Sequence, residues 1–202
     1  MLKKLIAVAL ALVIAVPAFA FSVDKVSKSV LPITYDGHNG CTATSINQRL
    51  GYWLTAAHCI PKDEPSTVVA IGGKPITIVD HDEVLDLAVV QGPRAKALRL
   101  QPFPPSIGEK VYVFGHPVGY STPQLFQGYV ASIFLPFTWD GIEYRWMMFD
   151  MTVCGGNSGS AVLNSHHEIV SVVQINHGRP CDGFSGGSPW LDLILFAAKY
   201  VG

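Results

Sequence analysis

The sequence predicts an all-β chain in two halves of similar size, closed by one short C-terminal helix. Three observations carry that expectation. Beyond residue 20 the hydrophobic periodicity is mostly 2 rather than 3.6. The apolar runs are short, rich in Val, Ile, Tyr, Phe and Thr, and bounded by Gly, Pro and Asn. The densest proline stretch, Gln101-Pro102-Phe103-Pro104-Pro105-Ser106, falls near the middle, with two cysteines on either side.

The first twenty residues stand apart. Lys3 and Lys4 form a basic start, Leu5–Val16 is an unbroken apolar run, and Ala18-Phe19-Ala20 is a small-x-small cleavage site. This is the plan of a secretory signal peptide, so residues 1–20 are expected to be removed and the mature chain to begin at Phe21. A membrane anchor is the competing reading, but Pro17 interrupts the run short of the roughly 20 apolar residues a spanning helix needs. A secreted or periplasmic protein with no stable membrane association after cleavage is expected.

The expected strands follow in order: Cys41–Ile46, Tyr52–Leu54, Thr67–Ile71, Ile76–Asp80, Leu87–Gln91, Lys110–Phe114, Leu125–Phe134, Tyr144–Met151, Ala161–Asn164 and Ile169–Ile175. Many short strands at this spacing read as antiparallel sandwiches or barrels. Prolines cannot donate to a ladder, so Gln101–Ser106 reads as a connector. It divides the mature chain into residues 21–103 and 104–202. Ser188-Pro189 is a helix start, with Pro tolerated in the first turn, and Trp190–Val201 contains no Gly or Pro.

Composition excludes several classes. Hydrophobic residues make up 49% and charged residues only 14% of the 202, with fourteen Lys and Arg against fifteen Asp and Glu. A disordered tail needs the opposite balance. Nucleic-acid binding is not expected, because no Lys/Arg run exceeds two residues. An even count of four cysteines in an exported chain points to disulfides. Of the three possible pairings, the nearest-neighbour one puts Cys41–Cys59 in the first half and Cys154–Cys181 in the second. A zinc site would need ligands at short spacing, and no C-x-x-C occurs. No metal or organic cofactor is expected.

Three segments carry chemistry. In Leu54-Thr55-Ala56-Ala57-His58-Cys59 a histidine ends an apolar strand on small residues that let it turn toward a cleft. In Asp86-Leu87-Ala88-Val89-Val90 an aspartate opens an apolar strand; it is a turn residue or a buried carboxylate that orients an imidazole. In Cys154-Gly155-Gly156-Asn157-Ser158-Gly159-Ser160 glycines allow tight turns that aim backbone N–H groups inward, beside a serine hydroxyl. Acyl transfer requires that pairing of hydroxyl and oxyanion donors. The order His, Asp, Ser is that of the chymotrypsin-type triad.

On these residues the chain resembles a trypsin-like, chymotrypsin-fold serine protease of the compact exported bacterial kind. The similar stretches are Thr55–Cys59, Asp86–Val90 and Gly156–Gly159. Gly115-His116-Pro117-Val118-Gly119 and Gln127-Gly128-Tyr129-Val130 resemble the opening of the second barrel in HtrA-like proteases. The resemblance runs from about Leu31 to Gly178 and leaves no length here for an appended PDZ domain.

The resemblance implies two antiparallel six-stranded β-barrels with the active site between them. It implies His58 as general base, Asp86 as its orienting carboxylate and Ser158 as nucleophile, with an oxyanion hole from the N–H groups of Gly156 and Ser158. Cys41–Cys59 matches the family's histidine-loop disulfide, and Cys154–Cys181 the bridge beside the specificity pocket. Thr152 matches the pocket floor, and Gln174, Ile175 and Asn176 the strand that pairs with substrate.

Three departures matter. Asn157 stands where animal trypsin-like enzymes carry an aspartate that pairs with a new N-terminus, so no zymogen switch of that kind is expected. Ser160 replaces a glycine. Thr152 bears no charge, so small or apolar P1 residues are expected rather than Arg or Lys. The expected function is a secreted serine endopeptidase acting on protein or peptide as a monomer. The alternatives are an inactive binding protein on the same fold and a triad esterase. The remaining histidines, His38, His81, His116, His166, His167 and His177, read as exposed loop residues. Phe134, Phe137, Trp139, Tyr144, Trp146 and Phe149 read as hairpin core, or less simply as a substrate-facing wall.

Overall fold

The computed structural model describes residues 21–61, 69–118, 120, 122–139, 142–177, 181 and 183–202; the side chains of 137, 139, 142, 144, 176 and 177 are not among those described. The expected signal peptide therefore lies outside the described residues.

After a one-turn helix α1 (Val23–Val26), seven strands form the first sheet: β1 (Val30–Tyr35), β2 (His38–Asn47), β3 (Tyr52–Thr55), β4 (Val69–Ile71), β5 (Lys74–Pro75), β6 (Thr77–Asp82) and β7 (Leu87–Gln91). A single 3₁₀ turn, Ala57–Cys59, follows β3. Six strands form the second sheet: β8 (Lys110–Gly115), β9 (Gln124–Trp139), β10 (Ile142–Asp150), β11 (Ala161–Leu163), β12 (Ile169–His177) and β13 (Phe184–Gly187), before helix α2 (Trp190–Ala197). The second sheet closes as a barrel in the order β10-β13-β12-β11-β8-β9.

The first sheet differs in detail from the six-stranded barrel the resemblance implies. Its order is β5-β4-β1-β2-β3-β7-β6, with no ladder between the two edge strands. Those edges are nevertheless consecutive in the chain, joined at Ile76, whose N–H donates to Val69 O at 3.1 Å. Pro75 has no N–H and breaks the ladder there. The sheet thus curls until one bent segment, 74–82, serves as both edges.

Sequence reading missed β1, β5 and β13. Pro32 interrupts β1, yet Pro32 sits opposite Thr42 and the β1–β4 ladder begins only at Ile33. β13 is Phe184-Ser185-Gly186-Gly187, a poor strand former by propensity. A Cβ at Gly187 would collide with Val172 O and Ser171 Oγ, so this strand needs glycine to lie against β12. The C-terminal helix starts where expected but ends at Ala197 rather than Val201. Ser188 does not cap it; its Oγ accepts the Val172 N–H at 3.1 Å.

Three buried clusters result. One fills the first sheet, around Ile33, Trp53, Ile71 and Val90. A second fills the barrel, around Val111, Met147, Phe149 and Val173. The third lies between them and draws Ile46, Leu54, Leu87 and Val89 from the front, Phe114, Leu163 and Val172 from the barrel, and Leu193 and Phe196 from α2. Strand alternation explains the division: on β7, Ala88 and Val90 face the first sheet's interior while Leu87 and Val89 face the barrel. Burying each such aliphatic side chain is worth about 1.5–3 kcal/mol. This shared layer fixes the two sheets relative to each other and brings the front-half and back-half loops to one rim.

The aromatic hairpin is not a uniform core. Phe149 is fully buried, but Phe134 is half exposed, with Ile133 and Leu135 beside it also exposed. The bonds Cys41–Cys59 and Cys154–Cys181 are both formed, 18 and 27 residues apart in sequence. Closing loops of this size is worth about 3 kcal/mol each.

Candidate functional site

Small buried residues carry His58 to the surface. Ala56 and Ala57 are buried at the end of β3, and Cys59 is buried and tied to Cys41 in β2. His58 is the exposed member of the turn, its side chain 45% accessible. Asp86 faces it from the loop before β7. Its Oδ1 accepts the His58 backbone N–H at 2.9 Å. The imidazole Nδ1 lies 2.8 Å from Oδ2 and 3.0 Å from Oδ1. A carboxylate can only accept, so Nδ1 carries the hydrogen and Nε2 is left with a lone pair directed away.

Asp86 is the turn residue of the two readings its sequence left open. Its side chain is a quarter accessible, because the residue belongs to the turn rather than the strand. Its φ of +48° is the left-handed conformation that non-glycine residues rarely adopt. Gln174 holds that turn: its Nε2 donates to Leu85 O at 2.6 Å and Asp86 O at 3.1 Å. Gln174 is buried, and its side chain serves the aspartate's loop rather than offering an amide to the cleft.

The glycine-rich loop comes from the barrel. Gly156 and Gly159 adopt φ of +92° and +81°. A Cβ on Gly159 would overlap Thr55 Oγ1 and Thr42 O and lie 3.0 Å from Ala56 N. Only glycine lets the loop approach this closely, and the contact sets Ser158 beside the strand end that leads into His58. Thr42 fastens the approach: its N–H donates to Ser158 O at 2.9 Å, and its Oγ1 donates to Gly156 O at 2.8 Å. The same Oγ1 accepts the His116 N–H at 3.0 Å. Thr55 Oγ1 donates to Thr42 O at 2.9 Å. Thr42 and Thr55 are fully buried; Thr55 opens the stretch that carries the resemblance, whereas Thr42 reads as an ordinary strand threonine with no distinguishing signal.

Two backbone donors of this loop are unspent. Gly155 O accepts the Val118 N–H at 2.7 Å. In a planar trans peptide the Gly156 N–H is therefore directed opposite. Among the described residues, neither the Gly156 nor the Ser158 N–H donates to a protein acceptor. Two unspent amides beside a serine suit a developing oxyanion.

Asn157 is fully buried, with no partner for Oδ1 or Nδ2, and Ser160 Oγ is likewise buried without one. Both meet Gly115, where any Cβ would strike them. Thr152 is exposed and uncharged, Ile175 is half-buried against Gly186, and the Asn176 side chain lies outside the described residues.

Three of the histidines expected in exposed loops, His81, His116 and His167, are not exposed. His81 Nε2 lies 3.1 Å from Ala57 O, next to His58. Burial pushes the His116 imidazole below its ordinary pKa, and burial chiefly does the same to His167. Among the described residues, Cys41, His58 and Cys59 are the group that could resemble a metal site. Both sulfurs are spent in the Cys41–Cys59 bond, so the group does not suit a metal.

Comparison with known proteins agrees with this arrangement. The serine endoprotease DegS of Haemophilus influenzae is 26% identical over 147 residues, 68% of this chain. The chain spans only 42% of that relative. The inactive form of the Rv3671c protease superposes with a TM-score of 0.71 at 20% identity, covering 88% of this chain and 91% of the other. An inactive-form mutant of Rv3671c from M. tuberculosis H37Rv gives 0.70 at 18% identity, covering 88% of each chain. These two similarities speak for the fold alone. The trypsin-like peptidase domain family matches residues 41–172, which is most of the chain and includes the loops of His58, Asp86 and Ser158. The chain belongs to the trypsin-like peptidase domain family.

Proposed function

We propose that this chain is an exported serine endopeptidase in which Ser158 is the nucleophile, His58 the general base and Asp86 its orienting carboxylate. The observation that carries the reading is the His58 Nδ1–Asp86 Oδ2 contact at 2.8 Å, which leaves Nε2 as a base on the rim where the Ser158 loop meets β3. Ser158 Oγ attacks the scissile carbonyl as His58 Nε2 takes its proton. The Gly156 and Ser158 amides receive the oxyanion. His58 then protonates the leaving amine, and water repeats the cycle on the acyl-enzyme.

The substrate lies along β12. β11 pairs with β12 only as far as Val172, and beyond Val173 no strand pairs on that side of Gln174–Asn176 among the described residues. An extended peptide adds a strand there through backbone bonds. Residues 21–103 and 104–202 act as the two lobes of the cleft. Thr152 carries no charge to anchor a basic side chain, so P1 is small or apolar. Asn157 cannot form a carboxylate–ammonium pair, so activity needs no freshly cut N-terminus. The protein works as a monomer, secreted or in the periplasm.

A fluorophosphonate probe tests the reading on wild type and Ser158→Ala, with casein and a small ester as substrates. Labelling of wild type only, with casein cleavage, is expected. Absence of labelling would favour an inactive binding protein, and ester turnover without casein cleavage a triad esterase.

A further inference from the structure

We propose that the hollow bounded by α1, the segment after β7 and the β11–β12 turn binds a phosphate or sulfate monoester of about sugar size, held by Lys25, Lys96 and Arg99. This site goes beyond the peptidase reading and does not rest on it.

The hollow has a volume of about 290 Å³ and an open mouth, and Lys25, Lys96, Arg99, His166, His167 and Glu168 line it. That volume is near the lower end for small-molecule pockets, roughly 300 Å³. Three permanent cations, all exposed, line it from two separate stretches of chain. None of the three has a carboxylate within ion-pair distance among the described residues. The single carboxylate of the lining is engaged: Glu168 Oε2 accepts from Asn164 Nδ2 at 2.9 Å. Three cations against the one Glu168 carboxylate leave an excess of positive charge around a concave wall, which focuses a positive field that an anion relieves. In a chain with one more acidic than basic residue overall, this local excess is a departure.

The frame is built beforehand. Arg99 O accepts the Ile169 N–H at 2.8 Å, Ile169 O accepts Gln101 N–H at 2.8 Å, and Ser45 O accepts Leu98 N–H at 2.9 Å. Asn164 Oδ1 ties the turn by accepting the N–H of His166 at 2.8 Å and of Glu168 at 3.0 Å. His167 holds a left-handed φ of +66°. Its Nε2 accepts the Ser22 N–H at 3.0 Å, and its ring lies 4.8 Å from that of Phe21. Such strain at a fixed side chain is typical of ligand clamps. Burial chiefly lowers the His167 pKa, and its Nε2 is spent accepting the Ser22 N–H, so the positive field in the hollow comes from the lysines and Arg99. A planar guanidinium together with two ammonium groups in one lining suits a tetrahedral oxyanion better than a single carboxylate.

The test is calorimetric titration of the purified chain with glucose 6-phosphate, with glucose and sodium chloride at matched ionic strength as controls. Lys96→Ala/Arg99→Ala and Lys25→Ala variants are run in parallel, with thermal unfolding to confirm that they fold. One-to-one binding of glucose 6-phosphate is expected, weakened about tenfold or more in the double variant because charge-assisted bonds are lost. Vesicles with and without phosphatidic acid separate the sources: retention by the former only assigns a lipid headgroup, and no retention a soluble ester. No binding of the ester or the acidic vesicles, binding undiminished in the double variant, or an equal effect of chloride overturns the proposal.

Discussion

Asp86→Asn isolates the contact on which the proposed chemistry turns. In the native site one carboxylate accepts two donors, the His58 backbone N–H at 2.9 Å and the ring Nδ1–H at 2.8 Å. An asparagine of the same shape has one oxygen. If that oxygen keeps the backbone N–H, its NH2 faces Nδ1. The ring must then move its hydrogen to Nε2, which can no longer take a proton from Ser158. If the amide flips, its NH2 confronts the backbone N–H and the turn carrying His58 shifts. Either way the base is lost while the fold stays. The expected fall in kcat is about 10⁴-fold, or about 5.5 kcal/mol of transition-state stabilisation. The expected loss of folding stability is only about 1 kcal/mol, because both side chains are partly exposed and solvent screens them. Steady-state turnover of a peptide substrate, the rate of fluorophosphonate labelling and a thermal melt measure the three quantities together. A variant that keeps kcat within tenfold of wild type, at unchanged stability, would refute the assignment of base and orienting carboxylate.

Gly159→Ala forces a Cβ into Thr55 Oγ1 and Thr42 O at a φ of +81°; it is expected to cost about 1–3 kcal/mol or more in chemical denaturation and to abolish probe labelling. Thr42→Val removes the hydroxyl that bonds Gly156 O and the His116 N–H, leaving both buried groups unpaired; a loss of about 1–3 kcal/mol is expected, with labelling slowed more than casein affinity. His116 and His167 have folded pKa values lowered chiefly by burial. The unfolded chain therefore binds more protons below the ordinary histidine value of about 6.5. Stability is expected to hold above that pH and to fall as pH drops below it. His116→Gln should flatten part of that slope in melts between about pH 7.5 and 5.

Local chemistry made much of this site legible. The histidine at the end of an apolar strand, the aspartate opening another and the glycine-framed serine are each readable because their neighbours dictate turn and strand locally. The family resemblance added the implied roles. Thr42 and Gln174 show the limit. Thr42 reads as one more β-branched strand residue, yet it meets Gly156, 114 positions away. Gln174 reads as a substrate-side residue, yet it reaches 88 positions back to the carbonyl of Asp86. β13 shows the same limit in the fold, since two glycines look like a turn until a neighbouring strand requires their smallness.

Alternation and punctuation thus determined that this chain is β-rich and carries a His–Asp–Ser order with cysteines beside two of its loops. Those properties depend on neighbours within a few residues, where backbone preference and side-chain period act directly. Tertiary structure alone decided that the first sheet curls around a bend at Ile76 without closing and that the aspartate sits at the rim. It also decided that buried threonines rivet the two halves, and that three unpaired cations share one hollow. Each of these depends on distances between segments far apart in the chain, which packing of the shared apolar layer sets and local preference does not encode.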